Sequence, residues 1–152
     1  MTDIIVRLIT ALLGTLGFAI MFRVSRSRLP WAALGGLLTY AVYELFWQLL
    51  GDPLISAFAS SLFMALYSEA LARILHAPTI IFLFPCAIPI VPGGGLYYTV
   101  YNLLFWNEAE FVRNAKSTAS IVLGMAVGVS VASIIIGGVL QAAGALRKMR
   151  EK

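Results

Sequence analysis

Charge is what this sequence has least of. Asp, Glu, Lys and Arg make up 12% of its 152 residues, against about 25% in soluble domains. Hydrophobic residues make up 61%, and the mean hydropathy is +0.91. A soluble fold of this size cannot hide so much apolar surface. The composition predicts an all-α integral membrane protein, one transmembrane domain over residues 1–152. Cysteine is nearly absent too: Cys86 stands alone, which excludes an intrachain disulfide and leaves a small packing residue. With one histidine, His76, and no clustered carboxylates, neither a metal site nor another cofactor is expected. No nucleophile–base arrangement is present, so no enzyme is expected. No ATP-binding motif appears, so transport energy would come from a gradient or another subunit. The net charge of +4 sits in short clusters between apolar runs. That pattern fits membrane topology, with the lipid bilayer rather than nucleic acid as partner.

What is present is five apolar segments near the ~20 residues that a bilayer span requires. They run over Ile4–Phe22, Trp31–Leu50, Leu54–Leu75, Thr79–Phe105 and Thr118 to about Ala143. Asp3 precedes Arg7 and no small-residue cleavage site precedes Arg23, so the first run reads as a retained helix rather than a cleaved signal. The connections are "RVSRSRLP", "GDP", "HAP" and "WNEAEFVRNAKS".

Basic residues set the orientation. Arg23, Arg26 and Arg28 occupy the first connection, Arg73 and His76 border the third, and Arg147, Lys148, Arg150 and Lys152 lie in the tail. Five spans put all three clusters on one face, expected to be cytoplasmic, with the N-terminus outside. A four-span arrangement would scatter them across both faces. An odd number of spans also means that a second such unit would insert upside down, a common architecture in secondary transporters.

The fourth segment is interrupted. "FPCAIPIVPGGGLYYTVYNLLF", Phe84 to Phe105, holds Pro85, Pro89 and Pro92, then Gly93, Gly94 and Gly95. Unpaired backbone in hydrocarbon is costly, so a non-helical stretch there must be buried in protein or line a wet cavity. The pattern predicts a helix broken at Pro92–Gly95, with about 13 residues before and 10 after, each half too short to span alone. A half-helix starting at Leu96 would offer free N–H groups and its positive dipole end to a carboxylate. Tyr97, Tyr98, Tyr101 and Asn102 could supply polar tips. A proline kink used for packing alone is the plainer alternative. Pro92, Gly93, Gly94, Gly95, Tyr97, Tyr98 and Asn102 are the expected substrate-binding residues.

Ionisable residues inside a span are functional candidates. Glu44 lies in the second span with no basic residue three or four positions away. It must find a partner elsewhere, face water or hold a proton. Glu69 and Arg73 in the third span have the spacing and order of a helical ion pair. Glu44, Glu69 and Arg73 are the candidates for proton coupling or gating, against packing and neutralisation as simpler roles. Ser120, Gly124, Gly128, Gly138 and Ala142 share one face of the fifth span, and Gly14, Gly17, Gly35 and Gly36 offer similar small surfaces for helix contact.

"PIVPGGGLYYTVYNLL", followed by "EAEFVRNAKSTASIVLGMAVGVSVASII", resembles the small membrane subunit of the split threonine/serine exporter family. Such subunits are similar to the C-terminal half of longer single-chain exporters. The resemblance covers the first span to the last and is strongest over Pro85–Gly128. It implies a secondary transporter in the inner (plasma) membrane, working with a larger partner subunit. The substrates it implies are small hydroxy amino acids, threonine or serine, or small dicarboxylates such as succinate. A homo-oligomer and a non-transporting assembly subunit are the alternatives.

Overall fold

The computed structural model describes residues 2–150, with side chains described over 3–142. The basic tail cluster of Arg147, Lys148, Arg150 and Lys152 lies outside the described side chains. Every regular element among the described residues is helical. Helix α1 spans Thr2–Met21, α2 Leu29–Leu50, α3 Pro53–Ile74, α4 Ile80–Ala87, α5 Gly93–Leu104 and α6 Glu108–Arg150. A 3-10 turn, Ile88–Ile90, extends α4.

The helix ends follow from local chemistry. Gly51 takes φ 63° after α2, and its N–H donates to the Trp47 carbonyl. Such a left-handed residue is cheapest as glycine. Asp52 then caps α3: its Oδ1 accepts from the N–H groups of Leu54 at 2.8 Å and Ile55 at 3.0 Å, while Pro53 occupies the first turn, where no N–H is needed. Arg23, His76 and Trp106 also take positive φ, just past α1, α3 and α5. The next residue in each case donates back into the helix: Val24 to Ala19, Ala77 to Ala72 and Asn107 to Asn102. These are the six-to-one bonds of a Schellman ending, built here without glycine.

Two neighbouring helices, α2 and α3, form the centre. Helices α1 and α4 pack on the α2 side, α6 packs along α3, and α5 packs chiefly against α6. The core is made largely of small residues. Ala19, Ala32, Ala57 and Ala132 are fully buried, as are Thr15, Thr39, Ser56, Ser60, Ser61 and Ser68. Phe82 and Met64 are the bulkiest of the fully buried side chains. Without a hydrophobic drive between helices in lipid, close backbone approach through small faces is what holds such a bundle together. A Cβ on Gly124 would strike the Leu54 carbonyl, and one on Gly128 would meet the Phe58 carbonyl at 2.6 Å. The expected small-residue face is therefore real at these positions. It ends before Gly138, where a Cβ would meet nothing. Gly35 and Gly36 approach Tyr67 and Thr15, whereas Gly14 and Gly17 face open space. Cys86 is buried, with its Sγ 3.6 Å from the Ala32 carbonyl.

Three features differ from the sequence expectation. The glycines are not the break: they form the first turn of α5, and the interruption falls at Val91 and Pro92. Pro89 and Pro92 remove the N–H groups that α4 would need to continue, whereas glycine at a helix start breaks nothing. The two parts are Ile80–Ile90 and Gly93–Leu104, bent by 49°. The fourth connection is also shorter than expected. Helix α6 begins at Glu108, not Thr118, because Asn107 Oδ1 accepts from the Glu110 N–H and two glutamates occupy the favourable first turn. Finally, three helices are long and apolar enough to cross a membrane, Asp3–Met21, Pro53–Ile74 and Glu108–Ala142, or four counting the bent pair. Helix α2 has the length, 22 residues, but its polar side chains lower its hydropathy.

Candidate transport site

Of three acid–base pairs among the described residues, Glu110–Arg113 lies exposed near the start of α6, and the other two stand at opposite ends of the bundle. Because α1 and α2 are antiparallel, the start of α1 lies beside the end of α2. Arg7 Nη1 approaches Glu44 Oε2 at 3.7 Å. Glu44 is 8% exposed. Its Oε1 accepts from Gln48 Nε2 at 3.2 Å, and its Oε2 is 3.5 Å from the Tyr40 hydroxyl. Next to this pair is a cavity of about 350 Å³, lined by Arg7, Thr10, Gly14, Tyr40 and the 3-10 turn residues Ile88 and Pro89.

Near the other end, Arg73 Nη2 donates to Glu69 Oε1 at 2.6 Å, and the Thr79 hydroxyl donates to Glu69 Oε2 at 2.7 Å. Glu69 and Arg73 also line a cavity of about 320 Å³ between α3 and α6, with Leu66 and Ile135 among its apolar walls. Arg28 Nη2 donates to the Leu75 carbonyl at 3.2 Å, which ties the first connection to the third at this end.

The residues of the Pro/Gly motif are spread rather than gathered. Pro92 is the N-cap of α5, and no side chain caps the helix. Gly95 packs against Thr118 of α6, whose hydroxyl is buried without a hydrogen-bond partner. Gly94, Tyr97, Tyr98 and Tyr101 lie open; Tyr97 meets Tyr98 edge to face, with centroids 5.3 Å apart, and stacks on Tyr101 at 6.2 Å. Gly93 is also open. Asn102 donates to the Tyr98 carbonyl of its own helix at 2.8 Å and lines a separate cavity with Trp106 and Phe111.

Arg7 and Thr79 are the partners that sequence reasoning missed. Arg7 carried a usable signal: it is a cation inside the first apolar helix and needs a counter-charge somewhere. Its pairing with Glu44 crosses helices, so spacing along the chain did not reveal it. Among the described residues no group of three or more His, Cys, Asp or Glu is placed to hold a metal.

The family model "Threonine/Serine exporter, ThrE" matches residues 7–135, which take in all three acid–base pairs and the broken segment. No curated protein and no solved structure matches. A match over most of the chain, on a bundle of apolar helices with a broken segment, identifies a multi-pass membrane protein with a transporter's role: the chain belongs to the threonine/serine exporter family.

Proposed function

We propose that this chain is the small membrane subunit of a secondary transporter that exports threonine or serine. The observation that carries this reading is the 49° break between Ile80–Ile90 and Gly93–Leu104 in a chain of the exporter family. Irregular backbone at membrane depth is tolerated where it lines a path or is buried in protein.

In this reading α2 completes a five-span arrangement, with the N-terminus outside and the C-terminus in the cytoplasm of the inner membrane. The bond between Arg28 and Leu75 supports it, since five spans require the first and third connections on one face. The open side of α5, with Pro92, Gly93, Gly94, Tyr97 and Tyr98, faces a larger subunit of the same family. Together with Gly95 and Asn102 these residues border the substrate path. A second copy of this chain is the alternative partner. The Glu69–Arg73 pair, held by Thr79, gates the cytoplasmic end, and Glu44 serves coupling or gating at the other. Succinate is the competing substrate, and an assembly subunit without transport is the competing function.

Efflux of threonine, serine and succinate from loaded cells tests this. Cells would express this chain, the larger subunit, or both. Amino-acid efflux only with both is expected. Efflux of succinate alone would reassign the substrate. Absence of all three fluxes, with the protein present in the membrane, would favour the assembly role.

A further inference from the structure

Arg7 and Glu44 differ from the Glu69–Arg73 pair in how tightly they meet. Glu69 and Arg73 share one helix and bond at 2.6 Å. Arg7 and Glu44 come from different helices and stop at 3.7 Å; Arg7 lines a cavity of about 350 Å³, and Glu44 lies directly behind Arg7 and the lining residue Tyr40. The anion is fixed: Glu44 is buried and held by Gln48 and Tyr40. The cation is less enclosed: the Arg7 side chain is 59% exposed. We propose that this pair is a binding site for a zwitterionic α-amino acid, whose carboxylate takes the Arg7 guanidinium and whose ammonium takes the Glu44 carboxylate. The ligand class rests on the exporter reading; the assignment of its two charged groups goes beyond it.

The electrostatics favour such a ligand. A zwitterion inserted between the two side chains replaces one ion pair by two and brings no net charge into a weakly polar environment. Each protein charge stays paired, which avoids the penalty of a stranded buried ion. A dicarboxylate would add two negative charges. Arg7 is the only basic residue lining the cavity among the described residues, so one of its carboxylates would be left without a cationic partner. The cavity therefore selects for an amino acid over succinate. Its volume lies at the small end of ligand pockets, and its walls are mostly apolar with a few polar groups. Thr10 offers a further contact. Its hydroxyl proton is committed to the Val6 carbonyl at 2.8 Å, which leaves oxygen lone pairs to accept from a ligand hydroxyl.

The test is competition against radiolabelled threonine bound to the purified protein, co-purified with its larger subunit where binding requires it. Unlabelled threonine and serine should displace the label. Threonine methyl ester lacks the carboxylate charge, N-acetylthreonine lacks the ammonium, and succinate lacks the zwitterion. Each should compete about tenfold more weakly or worse, as expected for loss of a charge-assisted hydrogen bond. The double variant Arg7→Gln, Glu44→Gln strands no charge and should bind threonine about tenfold more weakly or worse, while eluting and melting as a folded protein. Equal competition by the ester or the N-acetyl compound overturns the site, and needs no variant to fold. So does wild-type affinity in the double variant. Protein that exports threonine yet gives either result loses this site alone. Protein that neither binds nor exports threonine loses the exporter reading as well.

Discussion

A Cβ placed on Gly95 would collide with the Thr118 hydroxyl, whereas one placed on Gly94 would meet no atom within 4 Å. Two adjacent, identical residues therefore do different work. Gly95→Ala should push α5 away from α6 and lower the melting temperature of the protein in detergent. Gly94→Ala should hold or raise it, by up to about 0.5–1 kcal/mol from reduced freedom of the unfolded chain. Gly94→Val separates packing from transport. On the proposed path it should insert and fold but lose threonine efflux, and normal efflux would remove Gly94 from the path. The sequence made the motif conspicuous without revealing this division. Glycine's role depends on what lies opposite, and Thr118 is 23 positions away on another helix. The same holds for Glu44. Its need for a partner was legible from hydrophobic surroundings, but Arg7 became its partner only through the pairing of α1 with α2.

Helix boundaries at the scale of whole elements were legible where the chain uses standard capping residues. "GDP" announces the turn between α2 and α3, and each of its residues has the expected part: a left-handed end, an N-cap and a first-turn proline. Asp52→Ala should cost about 1 kcal/mol of stability, measured as a lower melting temperature. Three other endings were illegible because Arg23, His76 and Trp106 hold the left-handed conformation that glycine usually fills. His76→Gly should relieve backbone strain and stabilise the α3 ending by up to about 1 kcal/mol, even though it removes a side chain. A lower melting temperature for that variant would mean that the imidazole contributes more than the backbone loses. The start of α6 was misplaced because charged residues suggest a loop in an apolar chain. Glu108 and Glu110 sit instead where a helix start favours negative charge.

Across the whole molecule, hydropathy alone leaves the number of crossings open, because α2 carries Glu44 and Gln48 and falls outside the apolar helices. Segment lengths were nonetheless legible, since α1 to α3 lie within a few residues of the apolar runs. A labelling experiment decides the count. Cys86 is buried, so an introduced cysteine at exposed Ser27 or Asn107 would dominate reaction with a membrane-impermeant thiol reagent. Five crossings place these two positions on opposite faces, and Ser27 should react only from the cytoplasmic side. Reaction of both from one side would remove α2, or the bent segment, from the list of crossings.

The predominance of alanine, serine, threonine and glycine between the central helices also bears on movement. Large side chains that interdigitate act as a ratchet: one helix cannot shift along another until they have disengaged. Smooth surfaces such as that between Ala57, Ser61, Gly124 and Gly128 present few teeth. The Ser60 hydroxyl stays bonded to a carbonyl of its own helix and travels with it, and Ser61, bonded to the Phe58 carbonyl at 3.1 Å, has only a long 3.5 Å contact to the Gly124 carbonyl to exchange. A bundle assembled this way can shear by small steps with its backbone pairing intact.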